Sequence, residues 1–549
     1  MRLTIRLTLY FVLVCSSISG RSQSVTNPIL AGFYPDPSIC RAGDDYYLTN
    51  SSFAYYPGLP IFHSKDLLNW KQIGYAMDRP EQHDLDGHGV SRGLFAPAIS
   101  YHNGLFYIVC TKVDRVGNFV ITTKDPKGPW SNPVSLPEVN GIDPALFFDD
   151  NKAYIVYNSI PPENKSLYGG HRTIRMREFD ATALKTTGEE KILVNGGTDI
   201  SKKPVWIEAP HIIKREGWYY LLCAEGGTGY NHSEVIFRSR SVDGPYVPFE
   251  KNPILTQRHL DTSRKHPITT TGHADFVEGK DGKWWAVFLG CRPYEGDFYN
   301  TGRETFIAPV EWKDGWLQFN LGGDEVKYSY PINARIDKKA EKFNGNYHFR
   351  DEFDKPALNV RYNFLRTVRE KWYSLSNGAL TINLRPDTCS GRTNPSFIGF
   401  HQPHLKGYAA TSMRFTAVSD NEKAGLMIFQ NEKNHYFLCQ TIKEGKQEVQ
   451  LYKGNELIAS NQIDNSKDGL QLKIEAKDAK YAFYYAGKKN NWRLLLDNVD
   501  GKYLSTKVAG GFVGCLYTLY ATSNGKPTTN KAIYDWFECK NDDDVYKNK

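Results

Sequence analysis

Trp206-Ile207-Glu208-Ala209-Pro210-His211-Ile212-Ile213 is an apolar, strand-like segment with a single carboxylate, Glu208, set into it. An ionised carboxylate is costly to desolvate, so one in such a run faces water, has a partner, or has a task. Recurrence of the segment decides among these. Tyr34-Pro35-Asp36-Pro37-Ser38-Ile39, Phe95-Ala96-Pro97-Ala98-Ile99 and Ile142-Asp143-Pro144-Ala145-Leu146 carry the same Ala/Asp–Pro step ahead of an apolar residue. His273-Ala274-Asp275-Phe276-Val277 is a weaker fifth copy.

Each copy leads into a polar turn, such as Asn103-Gly104, Glu216-Gly217 or Asp281-Gly282. An aromatic, β-branched run follows, as in Phe106-Tyr107-Ile108-Val109 and Trp218-Tyr219-Tyr220-Leu221. These are hairpin signals. Five units of roughly 45–65 residues, each a small antiparallel sheet, predict an all-β chain that opens with a five-bladed β-propeller. The propeller is expected over residues 27–321, a polar, Lys-rich linker over 322–349, and a β-sandwich over 350–540, where short alternating strands such as Leu380-Thr381-Ile382-Asn383-Leu384 continue without the repeat. The innermost strand of a propeller blade lines the axis. The motif, opening each unit, is expected to start that strand. Asp36, Asp143 and Glu208, taken as equivalent in the repeat, then converge at one mouth of the channel with His273 beside them.

The ends and the composition bound the rest. Arg2 and Arg6, the apolar run Leu7 to Val14 and the small residues Ser16 to Gly20 read as a secretory signal peptide over residues 1–22. Bulky residues before Cys15 make it a poor lipoprotein cleavage site, so a lipid anchor is the minority reading, and no stretch is long enough to span a membrane. The net charge of +7 is small for 549 residues and the Lys residues are scattered, which argues against a nucleic-acid partner. Cys40, Cys110, Cys223, Cys291, Cys389, Cys439, Cys515 and Cys539 form no close pair, so zinc is not expected and buried free thiols are. The longest insert, Met77 to Leu94, holds Gln82-His83-Asp84-Leu85-Asp86-Gly87-His88-Gly89. It could suggest a metal loop, but its length favours a surface loop that frames a pocket.

Three carboxylates at one channel mouth suit glycosidic bond cleavage: a protonated one donates to the leaving oxygen, an ionised one activates water or attacks, and a third raises the acid's pKa by its like charge. At this level of detail the chain resembles glycoside hydrolase family 43, five-bladed-propeller enzymes that include β-xylosidases and α-L-arabinofuranosidases. Tyr34-Pro35-Asp36-Pro37-Ser38 resembles the family's general-base segment, Gly141-Ile142-Asp143-Pro144-Ala145 that of the pKa-tuning acid, and Ile207-Glu208-Ala209-Pro210-His211 that of the general acid. Gly302-Arg303-Glu304-Thr305, Glu225-Gly226-Gly227-Thr228 and Gly272-His273-Ala274 match further segments, and Pro395 to Gly399, Ala424 to Met427 and Asp535-Trp536-Phe537 resemble the sandwich of its xylosidase-type members.

The resemblance implies an inverting mechanism with Asp36 as base, Glu208 as acid and Asp143 as tuner. It implies substrate contacts from Phe53, Phe95, Thr228, His273 and Arg303. It implies no organic cofactor, and calcium stays open because in some members the histidine matching His273 lies near that ion. The expected partner is a xylan- or arabinoxylan-type saccharide. One departure is Phe95, where the family often has Trp. The leading reading is an exo-acting β-xylosidase. An α-L-arabinofuranosidase, dual activity, and a non-catalytic carbohydrate-binding propeller are the alternatives.

Overall fold

The computed structural model describes residues 23–464, 469–487 and 491–547. The signal-peptide segment 1–22 lies outside the described residues. The chain is all-β. Five antiparallel sheets come first, each built on four strands in sequence order, the fourth with a short extra strand, Leu255–Thr256, paired to its third. Their first strands are Ser38–Ala42, Leu94–His102, Ile142–Asp149, Glu208–Arg215 and Thr269–Glu278. These five strands are neighbours in cyclic order, the fifth returning to the first.

The recurring Ala/Asp–Pro step has a backbone cause. Asp36, Ala96, Asp143, Ala209 and His273 all have φ between 39° and 54°, one in each unit. A left-handed conformation costs a residue with a Cβ roughly 1–3 kcal/mol and persists only where its surroundings impose it. In four of the five units it coincides with a bulge: the ladder slips between Phe95 and Ala98, Ile142 and Ala145, Glu208 and His211, and Gly272 and Asp275. A bulge bends the strand and re-aims its side chains.

This backbone marker corrects the register of the repeat. Asp36 and Asp143 are equivalent, but the left-handed residue of the fourth unit is Ala209, so Glu208 stands one position earlier. In the fifth unit the equivalent residue is His273, not Ala274.

Side-chain acceptors and donors close every seam of the ring. Ser51 Oγ accepts from Ala96 N at 2.6 Å, and Asn118 Nδ2 donates to Gly141 O at 2.8 Å. Asp143 Oδ2 accepts from Ala209 N at 3.2 Å, and Glu234 Oε2 from Ala274 N at 3.0 Å. Asp275 Oδ2 accepts from Ile39 N at 2.9 Å and returns the chain to the first sheet. Buried amides at the bulges are thereby paired rather than orphaned. The stretch expected as a linker takes part in this closure: Ser329–Ile332 pairs antiparallel with Gln23–Thr26, and Asn27 exchanges two hydrogen bonds with Ile307.

The second half is a β-sandwich. An eight-stranded and a six-stranded sheet, counted among the described residues, pack around Leu380, Phe400, Leu426, Leu438, Leu472, Phe483, Leu519 and Phe537. The insert between Met77 and Leu94 is more than a surface loop: Asp78, Glu81, Gly87 and Arg92 are exposed, but Gln82, His83, Leu85, His88 and Val90 are buried. The sandwich clasps it: buried Arg366 donates to His88 O at 2.8 Å and to Glu432 Oε1 at 2.5 Å, while Glu432 Oε1 also accepts from Val90 N at 2.8 Å. Gly87 N reaches Arg392 O at 2.7 Å, and Arg369 pairs with Asp84 at 2.8 Å. The insert's polar residues thus serve a joint between the halves. All eight described cysteines are free, and seven of them are buried. Among the described residues no helix is long and apolar enough to cross a membrane.

Candidate active site

At one end of the ring lies a pocket of about 320 Å³ lined by Asp36, Phe53, Phe95, Asp143, Glu208, Thr228, His273 and Arg303. All eight candidates named from the sequence meet here. Asp36, Asp143 and His273 are the left-handed residues of their units and Glu208 directly precedes one, so the repeat itself brings these four together. Asp36, Asp143 and Glu208 are 5%, 6% and 5% exposed, so their charges are felt at low dielectric.

The three carboxyls differ in their partners. Asp36 Oδ1 accepts from Arg303 Nη1 at 2.9 Å, Oδ2 accepts from Ser51 Oγ at 2.6 Å, and His273 Nδ1 lies 4.0 Å from Oδ1. Burial works to raise the Asp36 pKa, but Arg303, His273 and Ser51 overcome it and hold the carboxyl below its ordinary value. Asp143 has only the Ala209 amide and, more weakly, the field of Arg303 to stabilise its charge, and burial followed by the Asp36 charge raises it. Burial, then the charges of Asp143 and Asp36, push Glu208 well above the usual carboxyl range. Near neutral pH Asp36 is therefore ionised and Glu208 protonated, while Asp143, raised to about 7, lies between them. His273 and His232 are neutral, burial having lowered them to about 4 and about 3.

The wall opposite the acids is aromatic. Phe53, Phe95 and Phe512 form a trio with ring centroids 4.8, 5.8 and 6.1 Å apart. Arg303 sits 5.4 Å from the Phe512 ring centre, and Arg92 5.6 Å from that of Phe95. Phe512 comes from the sandwich. It gets there because two glycines allow the halves to touch: a Cβ on Gly302 would lie 2.7 Å from Gly514 Cα, and one on Gly514 only 2.3 Å from Thr301 O. Cys515 N then donates to Asn300 O at 2.8 Å beside this contact.

Phe512, Arg92, Trp206, Ser51 and His232 were not singled out from the sequence. Phe512 carried the clearest signal, an aromatic residue within Gly510-Gly511-Phe512-Val513-Gly514. Ser51 and His232 carried none, because both act through contacts between distant segments.

The side chains around His273 do not make a calcium cage. Calcium takes six to eight oxygen ligands. Here Asp36 is engaged by Arg303 and Ser51, and Asp275 by Ser38, Ile39 and, at 3.5 Å, His211. Among the described residues no three His, Cys, Asp or Glu side chains gather as a metal-ligand group.

A buried pair of carboxyls, one ionised and one protonated, beside an aromatic sugar-sized wall is the apparatus of a glycosidase. Comparison with known proteins gives the family. Residues 25–317 match Glycosyl hydrolases family 43, and residues 350–540 match the Beta xylosidase C-terminal Concanavalin A-like domain. The chain belongs to glycosyl hydrolase family 43. It is 39% identical to a xylosidase/arabinosidase of Butyrivibrio fibrisolvens, over 93% of this chain and 98% of that protein. It is 36% identical to a non-reducing-end α-L-arabinofuranosidase of Bacteroides ovatus, over 96% of each chain. The crystal structure of a xylan β-1,4-xylosidase of Bacillus halodurans superposes with a TM-score of 0.85 at 30% identity, covering 94% of this chain and all of that one.

Proposed function

We propose that the enzyme removes a terminal pentose from xylan-type saccharides, as a β-xylosidase, with inversion at the anomeric carbon. The observation that carries the reading is the split between the two carboxyls in one small pocket: Asp36 is held ionised by Arg303, and Glu208 is held protonated by burial and by Asp143. Asp36 takes a proton from water as that water attacks the anomeric carbon. Glu208 gives its proton to the departing oxygen as the glycosidic bond breaks. Asp143 keeps Glu208 protonated and braces it through the Ala209 amide. Inversion calls for carboxyls roughly 6.5–9.5 Å apart, room for the attacking water. Phe53, Phe95, Thr228, His273 and Arg303 contact the terminal sugar, and the pocket lies at the small end of ligand cavities, about 300–1,000 Å³. That size suits an exo-acting site.

The five sheets work as a five-bladed propeller over residues 27–321. Residues 322–349 connect it to a sandwich over 350–540 whose Phe512 completes the pocket. Residues 1–22 direct export to the periplasm or the medium. No organic cofactor enters the reaction.

An α-L-arabinofuranosidase is the second reading. It is favoured by Phe95, which leaves the wall wider than a tryptophan would, and by the names of the two relatives above. Turnover of an aryl β-D-xyloside and an aryl α-L-arabinofuranoside, side by side with a Glu208→Ala control, decides between them. A xyloside preference supports the first reading and an arabinofuranoside preference the second. Activity on neither by folded protein favours a more elaborate natural substrate or the non-catalytic binding module.

A further inference from the structure

We infer that His232 is a positioning residue for Glu208: its bare Nε2 accepts the hydrogen bond of the protonated Glu208 carboxyl and keeps that proton aimed until a glycosidic oxygen replaces it. The inference rests on the reading of Glu208 as the acid.

His232 is fully buried just before the strand Ser233–Ser239. Its Nδ1 lies 3.3 Å from Thr270 O. A carbonyl only accepts, so Nδ1 carries the hydrogen and Nε2 is left with a lone pair. Nε2 has no hydrogen-bond partner among the described side chains, yet it lies 3.9 Å from Glu208 Oε1.

The surroundings are shaped to this ring. Thr270 adopts φ 60°, a rare conformation for a β-branched residue, with its carbonyl beside Nδ1. Gly272 is bare because a Cβ there would lie 2.9 Å from two ring atoms of His232. Asp143, Asp36, Arg303 and Arg172 face Glu208; His273, Arg303 and Asp36 face His232. Against these charges a neutral acceptor at Nε2 matches only the protonated carboxyl, since a carboxylate would meet its lone pair. His232 takes no proton itself. Glu208 gives its own to the leaving oxygen and regains one from water after the products depart.

The test is the pH dependence of kcat on xylobiose and on an activated aryl xyloside for wild type, His232→Phe, His232→Gln, Gly272→Ala and Glu208→Gln. A hydrogen bond to the neutral form holds a proton on, so its loss lets the proton leave at lower pH. We expect His232→Phe to move the alkaline limb down by about one unit and to slow xylobiose cleavage about tenfold beyond any effect on the aryl substrate. His232→Gln, which keeps an acceptor, restores part of both. Gly272→Ala, which displaces the ring, reproduces the shift if His232→Phe does not fold. An unmoved alkaline limb in every folded variant, with Glu208→Gln defective on xylobiose, overturns the role of His232 alone. A Glu208→Gln enzyme fully active on xylobiose overturns the acid assignment instead.

Discussion

The carboxylate of Asp143 accepts a hydrogen bond at 3.2 Å from the amide of Ala209, the residue that directly follows Glu208. One side chain thus fixes the backbone that carries the acid and supplies part of the charge that keeps it protonated. Asp143→Asn retains an acceptor for the amide and removes the charge. A carboxyl raised by a neighbouring negative charge falls when that charge is lost, so Glu208 ionises at lower pH. The alkaline limb of kcat/KM should descend by about one unit, a roughly tenfold loss at a fixed alkaline pH. pH–rate profiles of the two proteins measure it.

Arg303 has the opposite effect on Asp36. Its Nη1 donates to Oδ1 at 2.9 Å, and of the groups that hold Asp36 below its ordinary value it contributes most. A base with a depressed pKa works down to that pKa and is lost as pH falls through it. Arg303→Met lets Asp36 rise, so the acidic limb should move to higher pH. KM should increase as well, because Arg303 lines the pocket. An acidic limb that stayed in place would mean that Arg303 serves binding only.

Phe512 is lent by the sandwich and packs on Phe53 and Phe95. Phe512→Ala removes apolar area from the sugar's wall and leaves the carboxyls untouched. KM for xylobiose should rise about tenfold, the scale set by the 1.5–3 kcal/mol of burying one large apolar side chain, with kcat changed much less. Thermal unfolding should be near wild type, since Phe512 is only half-buried.

The joint between the halves depends on Arg366, which is fully buried and pairs with Glu432 at 2.5 Å. Breaking a buried pair leaves an uncompensated charge and costs about 3–5 kcal/mol. Glu432→Ala should lose that much in urea denaturation and should also free the Val90 amide. A loss under 1 kcal/mol would show that His88 O and Thr393 O suffice for the guanidinium.

The sequence carries the outline of this fold because the ring repeats. Asn103-Gly104 and Glu216-Gly217 turn where hairpins need positive φ, and both stand between paired strands. The sequence was less clear about register. A Pro marks the residue after the left-handed position in four units, so the prolines put Ala209 in register with Asp36 and Asp143, and treating the three acids as equivalent misplaces Glu208 by one; in the fifth unit Ala274 stands where the Pro would be, and matching it to the Ala of Ala-Pro misplaces His273. The pocket's acids and Arg303 were legible as motifs. Ser51, His232 and Phe512 were not, because their importance lies in what distant segments bring to them. The length of the insert Met77–Leu94 suggested a surface loop framing a pocket, and its Arg92 does line the pocket. The insert's Gln82, His83 and His88 are buried, and Arg366 of the other half bonds His88 O, while Arg369 pairs with Asp84 at the surface.

Glu208 as the protonated acid is the centre of the account, and leaving-group dependence tests it most directly. Positioned proton transfer contributes about 10²–10⁴-fold, and most for substrates whose leaving oxygen is strongly basic. Turnover of aryl β-xylosides with leaving groups of graded acidity, extended to xylobiose, should depend weakly on the leaving group in the wild type. In Glu208→Gln it should fall steeply as the leaving group becomes more basic, with activated aryl xylosides spared in part. An equally shallow dependence in both proteins, with xylobiose cleaved at the wild-type rate, would contradict it.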